Sequence, residues 1–194
     1  MQTVSFREMK QGTKADYELL MGLHETTKQH RHVDSILDLL VATGGPEAGY
    51  QVTRLTHSLQ TATRAELDGA DEEWIVAALL HDIGDLVAPD DHAALAASLL
   101  RPYVSEKVHW VVDKHGIFQG LYFWHHIGMD QHAREKYRDH PWFDACAYFC
   151  EAWDQAAFDP DFETKSLEHF EPMVRRIFAR EPFSAVDGDP KMTA

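Results

Sequence analysis

Apolar residues along this chain recur at three- and four-residue intervals, and alternating β-branched runs are nearly absent. That pattern predicts helices throughout and an all-α fold. The densest stretch, Trp74-Ile75-Val76-Ala77-Ala78-Leu79-Leu80, is a run of seven apolar residues leading into His81-Asp82. A helix that is apolar on every side is a buried one, and an imidazole and a carboxylate at its end are costly to bury without a partner. Asp71 is placed to cap this helix, with Glu72 and Glu73 in the first turn where acids suit the helix dipole. The spacing also predicts a helix over about 16–40, with Gly22 and the polar segment 26–32 as points where it could break, ended by Thr43-Gly44-Gly45-Pro46. Further helices are expected over 51–67, from Pro89-Asp90-Asp91 onward, from about Tyr103 to a C′ residue at Gly116, over 141–157, and from Ser166 to Arg180 with a kink or restart at Pro172.

Several polar residues sit oddly on these helices. In 51–67 the apolar stripe is Val52, Leu55, Leu59 and Ala62, so His57 falls on the opposite face with Tyr50, Arg54 and Thr61, which predicts a solvated histidine. His92 lies in a first helical turn, where the positive terminus favours a neutral imidazole. His115 continues the stripe Val104, Val108, Val111, and Asp154 shares a face with Phe143, Ala147 and Cys150. A carboxylate on an apolar stripe needs a partner. Taken singly, each of these has an ordinary structural explanation.

Composition narrows the choices. The chain has 194 residues, enough for one domain with a core. It has no apolar run long enough to span a bilayer and no secretory leader pattern, so a cytoplasmic protein is expected. Its net charge of -14 argues against nucleic acid or an anionic membrane as partner. Cys146 and Cys150, one helical turn apart, predict small buried thiols rather than a disulfide or a zinc site. The 13 histidines invite a search for metal-ligand spacing.

Together, His57 … His81-Asp82 … His92 … His115 … Asp154 place metal-type donors on separate helices. The pattern resembles the HD-domain superfamily, whose signature is H…HD…D on a helical bundle, with His92 and His115 in the places of the extra donors of its two-metal members. Within that superfamily the chain resembles the mixed-valent diiron oxygenases: myo-inositol oxygenase and the small bacterial enzymes that cleave 1-hydroxyphosphonates. The likeness covers His57-Ser58-Leu59-Gln60, His81-Asp82-Ile83-Gly84, Ala152-Trp153-Asp154, and Glu168-His169-Phe170 with Met173-Val174. The likeness runs from about Tyr50 to Phe178 and leaves the first forty-five residues outside it. The expected organisation is an N-terminal arm and helix over 1–45 packing on the domain, an HD domain over 46–182 with the dimetal site at its centre, and a flexible tail over 183–194. The likeness implies two irons in the Fe(II)/Fe(III) state, with His57, His81 and Asp154 on one, His92 and His115 on the other, and Asp82 bridging. Dioxygen would be the co-substrate, and a C–C or C–X bond of a small hydroxylated polar substrate would be cleaved.

The chain departs from the phosphonate-cleaving pattern where that pattern is basic, carrying Asp85, Gln119 and Glu151 in those places. An acidic surround repels a dianionic headgroup, which points to an aminated, polyol or carboxylate substrate. Glu47 and Tyr50 exchange types relative to the family's tyrosine and glutamate, leaving open which of them serves as lid or provisional ligand. Arg54 and Lys114 are the basic residues expected near the ligands. The alternative function is a phosphohydrolase acting on a phosphoester or nucleotide with Mn, Mg or another metal. A fold that merely binds a ligand fits the full donor set less well.

Overall fold

The structure, a computed structural model, describes residues 2–45 and 49–184, apart from the side chains of residues 26–30. Glu47 and residues 185–194 of the expected tail lie outside the described residues. Among the described residues there are helices and no strand, as the all-α expectation required. No helix among them is long and apolar enough to cross a membrane. Contacts divide the chain into two compact units, 1–38 and 39–194.

In the first unit Thr13 and Asp16 open helix α1 (Lys14–Ala42) with a reciprocal cap. The Asp16 amide donates to Thr13 Oγ1, while the Thr13 amide donates to Asp16 Oδ2 at 2.9 Å. The Asp16 carboxyl is held below its usual range by the Thr13 amide and hydroxyl, which both donate to it, and by the Ser5 amide. Helix α1 runs unbroken through Gly22 and the polar segment after it. A lone glycine costs only about 1 kcal/mol against alanine and does not by itself end a helix.

The second unit is built on α3 (Glu72–Leu80), capped by Asp71, whose carboxylate accepts from the Glu73 and Trp74 amides. Every residue from Glu73 to Leu80 is buried. Around α3 pack α2 (Arg54–Leu67), α5 (Glu106–Phe123) and α7 (Leu167–Phe178), while α4 (His92–Leu100) lies on α5. Glu73, at the start of α3, accepts from the Ser105 amide at 2.7 Å and pairs with Arg180, tying the α5 cap and the end of α7 to the central helix. Helix α7 continues through Pro172 rather than restarting there.

Two further expectations are corrected. Gly116 does not end α5, which runs on to Phe123. Its glycines serve close approach instead: a Cβ on Gly120 would lie 2.3 Å from the Trp124 ring, and one on Gly116 would meet the His92 ring at 3.9 Å. The second correction concerns α2. Its polar face is buried, with His57, Ser58, Gln60, Thr61 and Thr63 all inside, whereas Leu55 and Leu59 are half-buried. The burial is affordable because the polar groups find partners. Thr61 and Thr63 donate to carbonyls one turn back, and Gln60 exchanges hydrogen bonds with the Asp159 main chain.

Helix α6 (Phe143–Tyr148) runs directly into a π-helical turn over Phe149–Asp154, closed by a Gln155 amide bond to the Cys150 carbonyl at 2.9 Å. Such widened turns insert one residue into a helix and cluster at functional sites. Asp68, just past α2, accepts from Tyr148 Oη at 2.6 Å and Trp153 Nε1 at 3.0 Å, clamping both ends of the widened turn to α2.

Candidate metal centre

Five segments deliver the six donors. His57 stands near the start of α2, His81 and Asp82 follow the end of α3, and His92 opens α4. His115 sits in the middle of α5, and Asp154 ends the widened turn after α6. Asp82 is at the middle of the group. Its Oδ2 lies 3.3 Å from His57 Nε2 and 3.4 Å from His81 Nε2. Its Oδ1 lies 3.1 Å from His115 Nε2 and 3.3 Å from His92 Nε2. Each oxygen therefore faces its own pair of imidazoles. Asp154 Oδ1 joins the first pair, 3.3 Å from His57 Nε2 and 3.6 Å from His81 Nε2.

The main chain fixes which way most of these rings face. His57 Nδ1 donates to the Ala157 carbonyl at 3.0 Å, His81 Nδ1 to Ala78 at 2.8 Å, and His115 Nδ1 to Val112 at 2.7 Å. A carbonyl can only accept, so each Nδ1 carries the proton, and in the neutral ring Nε2 presents a lone pair inward. His57 Nε2 and His81 Nε2 stand only 3.2 Å apart. Two facing lone pairs ringed by carboxylate oxygens call for a cation between them. Buried Asp154 Oδ2, which has no hydrogen-bond partner, adds a further acceptor beside them. The residues present thus fit a metal, and neutral imidazole with carboxylate is an ordinary first-row donor set.

Without a metal, protons are drawn to the same place. Burial opposes a charged His57, but hydrogen bonds to Asp154 and Asp82 and their charges outweigh it and raise its pKa to about 10. His115 is likewise raised to about 9 against burial, chiefly by Asp82. Asp82 is lowered well below its usual value although burial works the other way, because His81 and His115 surround it, and Asp154 is lowered by His81 and His57. Burial and the Asp82 charge push Asp85 up.

The centre opens into a cavity of about 530 Å³. Of the substrate-contact candidates, Tyr50, Arg54, Asp85 and Gln119 line it, and Lys114 and Glu151 do not. Lys114 pairs with neighbouring Asp113 at 2.5 Å, and Glu151 is exposed. The aromatic residues Tyr122, Phe123 and Trp124, at the end of α5 and just beyond it, form part of the wall. Phe158 and Gln155 were not legible as wall residues beforehand. Phe158 stacks on the His57 ring at 4.4 Å and carries Tyr50 on a stack at 5.2 Å, and its position four residues after Asp154 was the available signal. Burial pushes the Tyr122 phenol up to about 12, so it remains a hydrogen-bond donor.

The HD domain model matches residues 54–146, a span that includes His57, His81, Asp82, His92 and His115 and stops short of Asp154. The matched span is just under half of the chain, and it marks a similarity to HD domains. A search of curated proteins returned no match.

Proposed function

We propose that this chain is a diiron oxygenase of the HD type, using dioxygen to cleave a C–C or C–X bond of a small hydroxylated substrate. The observation that carries the reading is the donor set itself: four imidazoles and two carboxylates, with the two Asp82 oxygens facing separate histidine pairs. Imidazole-rich sites suit iron, whereas Mg and Mn prefer oxygen donors. In this reading His57, His81 and Asp154 would hold one iron, His92 and His115 the other, and Asp82 would be shared between them. Four protein donors on one side and three on the other leave positions open for substrate and dioxygen. When bound, the Fe(II)/Fe(III) pair supplies the redox chemistry.

The chain's own residues do the rest. The main-chain bonds to the three Nδ1 atoms hold the imidazoles in a fixed tautomer and orientation. Phe158 stacks on the His57 ring and Tyr50 on Phe158, so an aromatic wall backs that side of the site. A cavity of about 530 Å³ is suited to a small molecule. Arg54 is the one cation among its described lining residues, and it already faces Asp82 and Asp85. A phosphate dianion would need a richer basic surround.

Arg54 is also what favours the second reading, a phosphohydrolase using the same donors with Mn or Mg. A guanidinium beside a metal pair is a reasonable grip for one phosphoryl oxygen. Metal analysis with EPR of partially reduced protein separates the two. About two irons per chain with a coupled Fe(II)/Fe(III) signal, and dioxygen uptake with hydroxylated substrates, are expected. Two non-iron metals with phosphate release from generic phosphoesters would replace the oxygenase by the hydrolase.

A further inference from the structure

His92 is held unlike the other three histidines. Its side chain is 28% exposed, against 1%, 0% and 2% for His57, His81 and His115. The Nδ1 atoms of the other three donate to main-chain carbonyls, whereas His92 Nδ1 faces a carboxylate, Asp85 Oδ1, at 3.3 Å. The other oxygen of Asp85 lies 3.0 Å from Arg54 Nε, an ion pair without hydrogen-bond geometry. Arg54 also reaches to 3.8 Å from Asp82 Oδ2 and lies over the Tyr50 ring at 4.8 Å, at the cavity wall. Asp85 meets the nitrogen of His92 that points away from Asp82, with a guanidinium on its far side. That is the place of an outer partner rather than of a seventh metal donor. Gly84 makes the arrangement possible: a Cβ there would lie 2.5 Å from the His92 carbonyl oxygen and 2.7 Å from its Cα.

A carboxylate on the far nitrogen of a ligating histidine fixes the ring and makes the ligating nitrogen more basic. We propose that Asp85, held by Arg54, positions His92 and sets the affinity of the metal position that His92 and His115 form with Asp82. The inference rests on the six donors being a two-metal site, and it does not depend on the metal being iron or on dioxygen chemistry. Among the four histidines, His92 is then the one whose grip on metal can be adjusted by side chains in the cavity wall.

The test is an anaerobic titration of the metal-free full-length chain with Fe(II), read as stoichiometry and stepwise affinity. The wild-type chain is expected to take two equivalents. Asp85→Ala should leave one equivalent intact and weaken the other by roughly 10- to 100-fold, the usual effect of removing an outer partner. Asp85→Asn, which keeps an acceptor for Nδ1 but loses the charge, should fall between. A structural role alone would lower the melting temperature of the metal-free chain without splitting the two equivalents. Should Asp85→Ala fail to fold, Arg54→Gln is expected to weaken the same single equivalent by a smaller factor. Unchanged binding in these variants, or equal loss at both positions, overturns the proposal. A wild-type chain that takes fewer than two equivalents overturns the two-metal reading beneath it, so the two failures are told apart.

Discussion

The two oxygens of Asp82 look onto neighbourhoods built by different means. On the inner side, His57, His81 and Asp154 are buried, and both rings are anchored by peptide carbonyls. On the outer side, His115 has the same kind of anchor, but His92 is part-exposed and leans on a side chain. Main-chain anchors cannot be altered by substitution without moving a helix, whereas side-chain anchors can. In the two-metal reading the inner position is therefore set by the fold, and the outer one by the fold at His115 and by a replaceable side chain at His92.

The largest expected effect erases the distinction. Asp82→Ala removes the donor shared by both sides, and metal analysis should find both positions weakened by more than about 100-fold, beyond the range for outer partners. Next comes pH. The pKa values of His57 and His115 in the folded metal-free chain are about 10 and 9, against 6.5 for the free side chain. The folded state thus binds more protons, and the stability this contributes is full below about pH 6.5 and lost as pH rises through 9 and 10. Each such group accounts for at most about 1.4 kcal/mol per pH unit in that window. Urea midpoints of the metal-free chain should fall between pH 7 and 10, while those of the metal-loaded chain, whose imidazoles are already neutral, should fall far less. An equal decline in both would break the assignment of these rings as donors.

Smaller effects sharpen the contrast. Gly84→Ala drives a methyl into the His92 main chain and should cost about 1–3 kcal/mol in urea unfolding, with loss of the outer metal position alone. Asp68→Asn weakens the clamp from Tyr148 and Trp153 and should cost about 1 kcal/mol, with any loss of metal confined to the inner position. If Gly84→Ala weakened the inner position, or Asp68→Asn the outer, the two sides would not be separately built.

Much of this was legible from the chain. The buried run Trp74–Leu80, its Asp71 cap and the His81-Asp82 pair at its end followed from hydrophobicity and cap chemistry alone. The face of His57 did not. Periodicity marks leucines as inward, yet α2 turns its threonines, glutamine and histidine in, because the hydrogen-bond partners that make this tolerable come from residues such as Asp159, about a hundred positions away. Gly116 failed for a related reason: a glycine that makes room for a neighbouring ring looks in sequence like one that stops a helix. Lys114 and Glu151 are near donors in sequence, but a neighbour on a helix points elsewhere, and neither lines the cavity.

The widened turn at Phe149–Asp154 carries a consequence for how the centre can be lost. Each residue of an ordinary helix advances the chain by about 100°, so one additional residue sets everything beyond it out of phase with α6. Trp153 and Asp154 occupy the shifted phase, the first on Asp68 and the second on the histidines. Deleting a single residue within 149–152 would restore a regular helix, keep every donor in the sequence, and swing the carboxylate away from its imidazoles. Part of this candidate centre is encoded as a count of residues, and a frame shift of one in a helix would undo it without replacing any of its side chains.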